Sequence, residues 1–336
     1  MRQYQNRGIQ RFAAYLLAGG ALLVGLPPFV GACASDDPAR ACRIGVDCAS
    51  GVCGADGQCV AQGENDGGTD GGPSGDSAIP TDAPITETGG DSALPGCTPN
   101  KDGTITRAEV PIAAGLHATY KIGSGNVITA GTAGAGGKLG WDYTAALADD
   151  VSVLVETQSL VGKWFEAKFA GATYATKLSN GSDILGVFET SPGALLLRGL
   201  VSPTETASPK TDYAYGPAVS VLKFPLTMGA TWTTDSTATG TAAGIPLSLA
   251  AATTEKYDSK VDAVGELKTP LGTFDVLRVA TVLTRKVGFT GFETTTVIRS
   301  FAFVTECYGT VATITSANNE ANAEFTNATE IRRISP

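Results

Sequence analysis

Cysteine is the residue type in this chain whose count and spacing bear most directly on chemistry. There are seven: Cys33, Cys42, Cys48, Cys53, Cys59, Cys97 and Cys307. Four of them stand in a dense C-x5-C-x4-C-x5-C run, residues 42 to 59. Zinc modules favour C-x2-C pairs, and the chain has none. A segment this short buries no core, so disulfides are the expected crosslinks there. Other chemistry has little to build on. His117 is the single histidine and falls on the polar side of an alternating stretch, the position of a solvated side chain. Neither a Gly-x-Ser-x-Gly elbow, nor a P-loop, nor an H-E-x-x-H pair occurs. Asp149 and Asp150 are adjacent, so on a strand they point to opposite faces, and a turn is the better reading.

The segment that sets the compartment comes first. Arg2, Arg7 and Arg11 precede an apolar run from Phe12, which Pro27-Pro28 interrupts after about fifteen residues, short of the roughly 20 a spanning helix needs. This is the pattern of an export signal. The end of the signal, Val30-Gly31-Ala32-Cys33, resembles a bacterial lipobox. The resemblance implies cleavage before Cys33, diacylglycerol on its sulfur and acylation of the new amino terminus. Two or three acyl chains hold a protein stably at a bilayer, where one does not. Ala34 follows the cysteine rather than an Asp, which favours the outer membrane. With Cys33 assigned to lipid, six cysteines remain in an oxidising compartment. Cys42, Cys48, Cys53 and Cys59 resemble a small cysteine-rich module of exported bacterial proteins, with three pairings open. Cys97 and Cys307 flank the large domain and are expected to staple it.

Residues 98–109 resemble a twelve-residue EF-hand loop. Asn100, Asp102 and Glu109 fall at positions 3, 5 and 12, the Thr104 carbonyl at 7, and Gly103 at the sharp turn. The resemblance implies weak calcium binding, because Thr98 stands where the family has Asp. The competing reading is a turn at Asp102-Gly103 followed by a capping box, Thr106-x-x-Glu109, that starts one helical turn.

These residues are positioned by a simple succession of segments: signal peptide 1–32, lipidated cysteine and disulfide module 33–60, linker 61–96, EF-hand-like turn and short helix 97–114, and a β domain 115–336. The linker carries seven acids and no Lys or Arg, too little apolar surface to offset the entropy of folding. It reads as a disordered tether. After it, apolar and polar residues alternate: Leu116, Ala118, Tyr120 and Ile122; Trp141, Tyr143 and Ala145; Val151, Val153 and Val155. Period two with one apolar face is a half-buried antiparallel strand. Asn180-Gly181 suits a tight hairpin and Pro192-Gly193 a type II turn. Residues 273–287 alternate imperfectly, as a bulge or burial on both faces would produce. The expected fold class is all-β: one antiparallel, sheet-rich domain, either an open half-barrel or a sandwich. Phe224-Pro225-Leu226-x-x-Gly229-x-x-Trp232, followed by Pro270-x-Gly272-x-Phe274, resembles a phrase of uncharacterised β-rich exported bacterial proteins. That resemblance implies fold only and transfers no catalytic residue.

The formal charge of −9 opposes nucleic-acid binding, which draws its affinity from Lys and Arg. The expected protein is a non-catalytic, lipid-anchored envelope lipoprotein without a cofactor beyond weak calcium. Its β domain is expected to bind an apolar or lipid-like ligand, with Trp141, Trp164, Phe165, Phe169 and Phe188 lining the site. The alternative is a surface-displayed structural or adhesion module that contacts another protein.

Overall fold

A computed structural model describes residues 97–179, 182–241, 253–288 and 293–336. The signal, Cys33, Cys42, Cys48, Cys53, Cys59, the linker and the Asn180-Gly181 turn lie outside the described residues. Strands are numbered in chain order. Four are accessory: β1 (Thr104–Ile105), β3 (Thr132–Ala133), β4 (Leu139–Asp142) and β10 (Leu226–Thr227). Twelve build a wall: β2 (His117–Val127), β5 (Val151–Gln158), β6 (Tyr174–Ser179), β7 (Ser182–Thr190), β8 (Ala194–Val201), β9 (Asp212–Lys223), β11 (Thr231–Thr241), β12 (Thr253–Lys268), β13 (Thr273–Val287), β14 (Thr294–Thr305), β15 (Gly309–Ser316) and β16 (Asn327–Ser335).

Each wall strand pairs antiparallel with the next in the chain. The last then pairs with the first, Ser335 opposite Thr119 and Asn327 opposite Val127. The wall is therefore a closed, up-and-down, twelve-stranded barrel, which corrects the expected open half-barrel or sandwich. Alternation reports one buried face, and a half-barrel, a sandwich and a closed barrel all have one. Closure depends on β16 meeting β2, a pairing of distant segments that no local pattern encodes. It also removes the free sheet edges that an open wall would expose, except along residues 151–156 of β5.

Side chains divide into a lumen set and outer sets. Tyr257 and Leu283, Val261 and Val279, Leu200 and Tyr213, and Leu195 and Leu222 are cross-strand pairs of the lumen core. Two outer cores sit beneath excursions of the chain. Residues 128–150 fold back over β12–β16 and bury Trp141 and Tyr143 on Phe303. Residues 159–172 lay Phe165 and Phe169 over β6–β8. Gly199 makes that second contact achievable, since a Cβ there would meet the Phe169 ring at 2.4 Å. The uneven alternation of β13 comes from burial on both faces: Leu277, Val279 and Leu283 point in, Val276 and Arg278 out. The nearby bulge lies on β12, between Val261 and Ala263.

The wall is continuous except at one seam. β5 meets β6 through only Thr157 with Thr176 and Gln158 with Ala175. Residues 151–156 pair with β2 on their other side alone. No helix among the described residues is long and apolar enough to cross a membrane. The outer face of β11 and β12 carries Thr233, Asp235, Lys256, Asp258 and Lys260, where a membrane-spanning barrel has an apolar band.

Candidate functional site

The site is built around residues 97–112, a strap that crosses one end of the barrel. Cys97 is bonded to Cys307, as the flanking positions of these two cysteines led one to expect. Cys307 stands in the tight β14–β15 turn at φ +68° and donates its N–H to the Glu109 carbonyl at 2.7 Å. The Lys101 N–H reaches the Glu306 carboxylate at 3.2 Å, while its ammonium pairs with Asp275 at 3.0 Å. That hydrogen bond to Asp275 raises the Lys101 pKa above its ordinary value. Further on, β1 pairs with β10, Ile105 opposite Leu226. Ile105, Val110 and Ile112 then enter the lumen core as an apolar plug. The Arg107 guanidinium folds back to donate to the carbonyls of Val110 and Ile112, at 2.9 and 2.8 Å.

Between this strap and the β12–β13 hairpin lies a cleft of about 400 Å³. Its apolar lining comes from Ile105, Val264, Leu271, Phe274, Leu277 and Tyr308. Phe274 and Tyr308 meet edge to face at 5.1 Å. Lys101, Lys138, Asp275 and Glu306 supply the charged part of the lining. The volume lies within the roughly 300–1,000 Å³ of small-molecule sites, and an apolar lining with a few converging polar groups is their usual make-up. Leu271, Gly272 and Phe274, at the β12–β13 connection, form one wall. Nothing local in the sequence marks the opposite wall, because the disulfide and the β1–β10 pairing bring it there.

The EF-hand-like residues lie on the same strap. The Asn100 carboxamide donates to Glu109 at 2.8 Å, and Asp102 accepts the Thr104 N–H at 2.7 Å. Glu109 accepts the Thr106 N–H and hydroxyl, both at 2.8 Å, at the start of the 3-10 turn Arg107–Glu109. The turn and cap read from the sequence are thus present. Among the described residues no group of three or more His, Cys, Asp or Glu is arranged around a metal position.

None of the five aromatic residues expected to line a ligand site lines this cleft. Trp141 packs edge-on against Phe303 in an outer core, with ring centroids 5.0 Å apart. Trp164 donates its indole N–H to the Ser202 carbonyl at 3.0 Å and sits against Phe165. Phe169 shares that outer core, and only Phe188 points into the lumen, stacked on Tyr174. Chain excursions that fold back on the wall need large apolar anchors, and these aromatics serve that purpose. Asp149 and Asp150 diverge: the first accepts the Ser124 N–H at 2.5 Å, and the second pairs with the buried Arg333.

Two ion pairs inside the lumen were not anticipated. Glu255 holds Arg285 at 2.5 Å, both fully buried. Glu330 holds Arg332 at 2.7 Å, and Arg332 also donates to the Leu178 carbonyl of β6, beside the seam. Burial pushes the Glu330 carboxyl up to about 7, against the pull of Arg332. Between the pairs runs a cross-strand row of hydroxyls, Ser259, Thr281, Ser300 and Thr315, with Ser259 and Thr281 hydrogen-bonded at 2.9 Å. These hydroxyls and the apolar Leu195, Val219 and Leu222 line a cavity of about 130 Å³. The available signal was Glu255 in phase with Tyr257, Ser259 and Val261, which puts an acid on the buried face of its strand.

No protein-family model matches this chain, no curated protein matches its sequence and no solved structure matches its fold.

Proposed function

We propose that this protein is a non-catalytic, lipid-anchored envelope lipoprotein whose β barrel binds a small ligand with an apolar body and a polar end. The observation that carries the ligand reading is the 400 Å³ cleft between the stapled strap and the β12–β13 hairpin. Its apolar lining suits the ligand body, and Lys101, Lys138, Asp275 and Glu306 suit a polar end. The lumen cavity, at about 130 Å³, is close to the volume that takes up benzene in an engineered protein cavity, too small for an acyl chain. The ligand is therefore assigned to the cleft rather than to the lumen. The membrane anchor rests on the lipobox resemblance at Cys33. Weak calcium binding at Asn100, Asp102, the Thr104 carbonyl and Glu109 belongs to the same reading, and requires the Asn100 carboxamide to turn its oxygen towards Glu109.

The test uses 1-anilinonaphthalene-8-sulfonate, an apolar fluorophore with one charged group, on the full chain. Saturable fluorescence that Leu271→Asp abolishes and Leu154→Lys leaves unchanged supports the cleft. Fluorescence insensitive to Leu271→Asp contradicts it.

The display reading has one observation in its favour. Residues 151–156 of β5 present an edge largely unpaired towards β6, with Val151 and Leu154 exposed at 48% and 56%. An extended segment of a partner protein adds to such an edge through backbone hydrogen bonds.

A further inference from the structure

Far from the cleft, the lumen contains a group of hydrogen-bond donors that its own acceptors do not satisfy. Arg285 lies eight residues beyond Leu277 on β13, about 26 Å along the strand at 3.3 Å per residue. Its side chain is 1% exposed. Nε donates to Glu255 Oε1, and the Tyr257 hydroxyl donates to Glu255 Oε2. Both oxygens of the carboxylate that pairs with Arg285 among the described residues are thereby engaged. The two terminal nitrogens of the guanidinium, Nη1 and Nη2, are buried and make no hydrogen bond. The hydroxyls of Tyr213 and Tyr215 are also buried and make no well-formed hydrogen bond; Thr253 lies near the first and the Tyr257 hydroxyl near the second. Burial lifts the Tyr213 phenol to about 12 and the Tyr215 and Tyr257 phenols well above their ordinary value, so all three are protonated donors at neutral pH.

The strand register shows that these groups share one end of the lumen. Glu255 is opposite Arg285, and Thr296 is opposite Arg285 on the other side. Tyr215 is opposite Ala238, and Ala238 is opposite Thr253, two residues from Glu255. Ala238, which links the two pairings, is fully buried.

We propose that this end of the barrel is a binding site for a small oxyanion, a carboxylate or an inorganic phosphate, held by the Nη1–Nη2 fork of Arg285 and the Tyr213 and Tyr215 hydroxyls. The reasoning is one of donor balance. Nη1 and Nη2 carry four N–H groups, and a buried donor left unmade costs its full desolvation. Water brings as many donors as acceptors, so it relocates a donor excess without cancelling it. An oxyanion brings acceptors only, and the planar fork of arginine matches it in two parallel bonds. Glu255 keeps Arg285 oriented through Nε and leaves the fork facing away. The site is independent of the cleft and of the reading given to it.

Isothermal titration calorimetry on the full chain tests this, with sodium acetate, formate or phosphate against chloride at equal ionic strength. Saturable binding at one site is expected, and which of the three gives it separates a carboxylate from an inorganic oxyanion. Tyr215→Phe, which removes one donor and no charge, is expected to weaken binding about tenfold to a hundredfold, the value of one hydrogen bond to a charged group. Arg285→Lys keeps a cation for Glu255 but loses the fork, and is expected to weaken binding more than Tyr215→Phe does. Glu255→Gln leaves the guanidinium uncompensated and is expected to tighten it. If Arg285→Lys does not fold, by circular dichroism, the other two variants carry the test. No saturable heat with any of the three anions overturns the proposal. So does binding that Tyr215→Phe and Glu255→Gln leave unchanged.

Discussion

At the strap end of the barrel, Ile105, Val110 and Ile112 enter the lumen and a disulfide holds the segment that carries them. At the other end of β13 the lumen instead buries Glu255 and Arg285 among three tyrosines. The first end is sealed by apolar area and a crosslink, interactions that are non-directional and spread over many contacts. The second is filled by groups whose burial is costly unless each has its partner. The two ends should therefore respond differently to the same size of change. An apolar plug loses stability in proportion to what is removed, whereas an ion pair fails when either half is removed.

The largest effect is expected at the ion pair. Arg285→Leu or Glu255→Leu alone leaves a buried charge without its partner and should cost about 3–5 kcal/mol in urea unfolding. The double variant should cost less than either single one, because two apolar side chains need no compensation. Equal costs for the single and double variants would remove the distinction between the ends. At the strap, Cys97→Ser with Cys307→Ser opens a loop of sequence separation 210, and loss of a native disulfide typically costs about 2–5 kcal/mol. This variant should also lose fluorophore binding, since the strap forms one wall of the cleft.

A third effect lies between the ends. The Glu330 carboxyl keeps its proton in the folded chain up to about pH 7, against an ordinary value of 4.5. Between those values the folded state binds the extra proton. That stability is fully present below pH 4.5 and declines as pH rises towards 7, by up to about 3 kcal/mol. Glu330→Gln should flatten this part of the stability profile, measured by urea unfolding from pH 4 to 8. The smallest effect is expected at the seam. Leu154→Lys, on an exposed edge, should change stability by no more than about 0.5 kcal/mol. It should still abolish capture of an extended partner segment if that edge is used.

The ease of reading each region from the sequence follows the same division. The strands and the Cys97–Cys307 staple were legible, because alternation and a flanking cysteine pair are local or countable. The Thr106–Glu109 cap was legible for the same reason. Barrel closure was not, because it rests on Ser335 meeting Thr119. The aromatic residues misled for a related reason: Trp141, Phe165 and Phe169 are buried as any ligand-lining set would be, but against the outer wall. Which side of a closed sheet a side chain occupies is settled by what folds back over it, and residues 128–150 and 159–172 leave no periodic trace of doing so. Arg285 sits within a run of mixed alternation, so its inward orientation followed only once the β12–β13 register paired it with Glu255.

The central claim, that the stapled cleft holds a small ligand, is tested most directly by native mass spectrometry of the full chain, purified gently from an oxidising compartment. The account predicts a reproducible added mass that organic solvent strips away and that the Cys97→Ser, Cys307→Ser variant lacks. A bare mass for the native chain, or an added mass that persists without the disulfide, would contradict it.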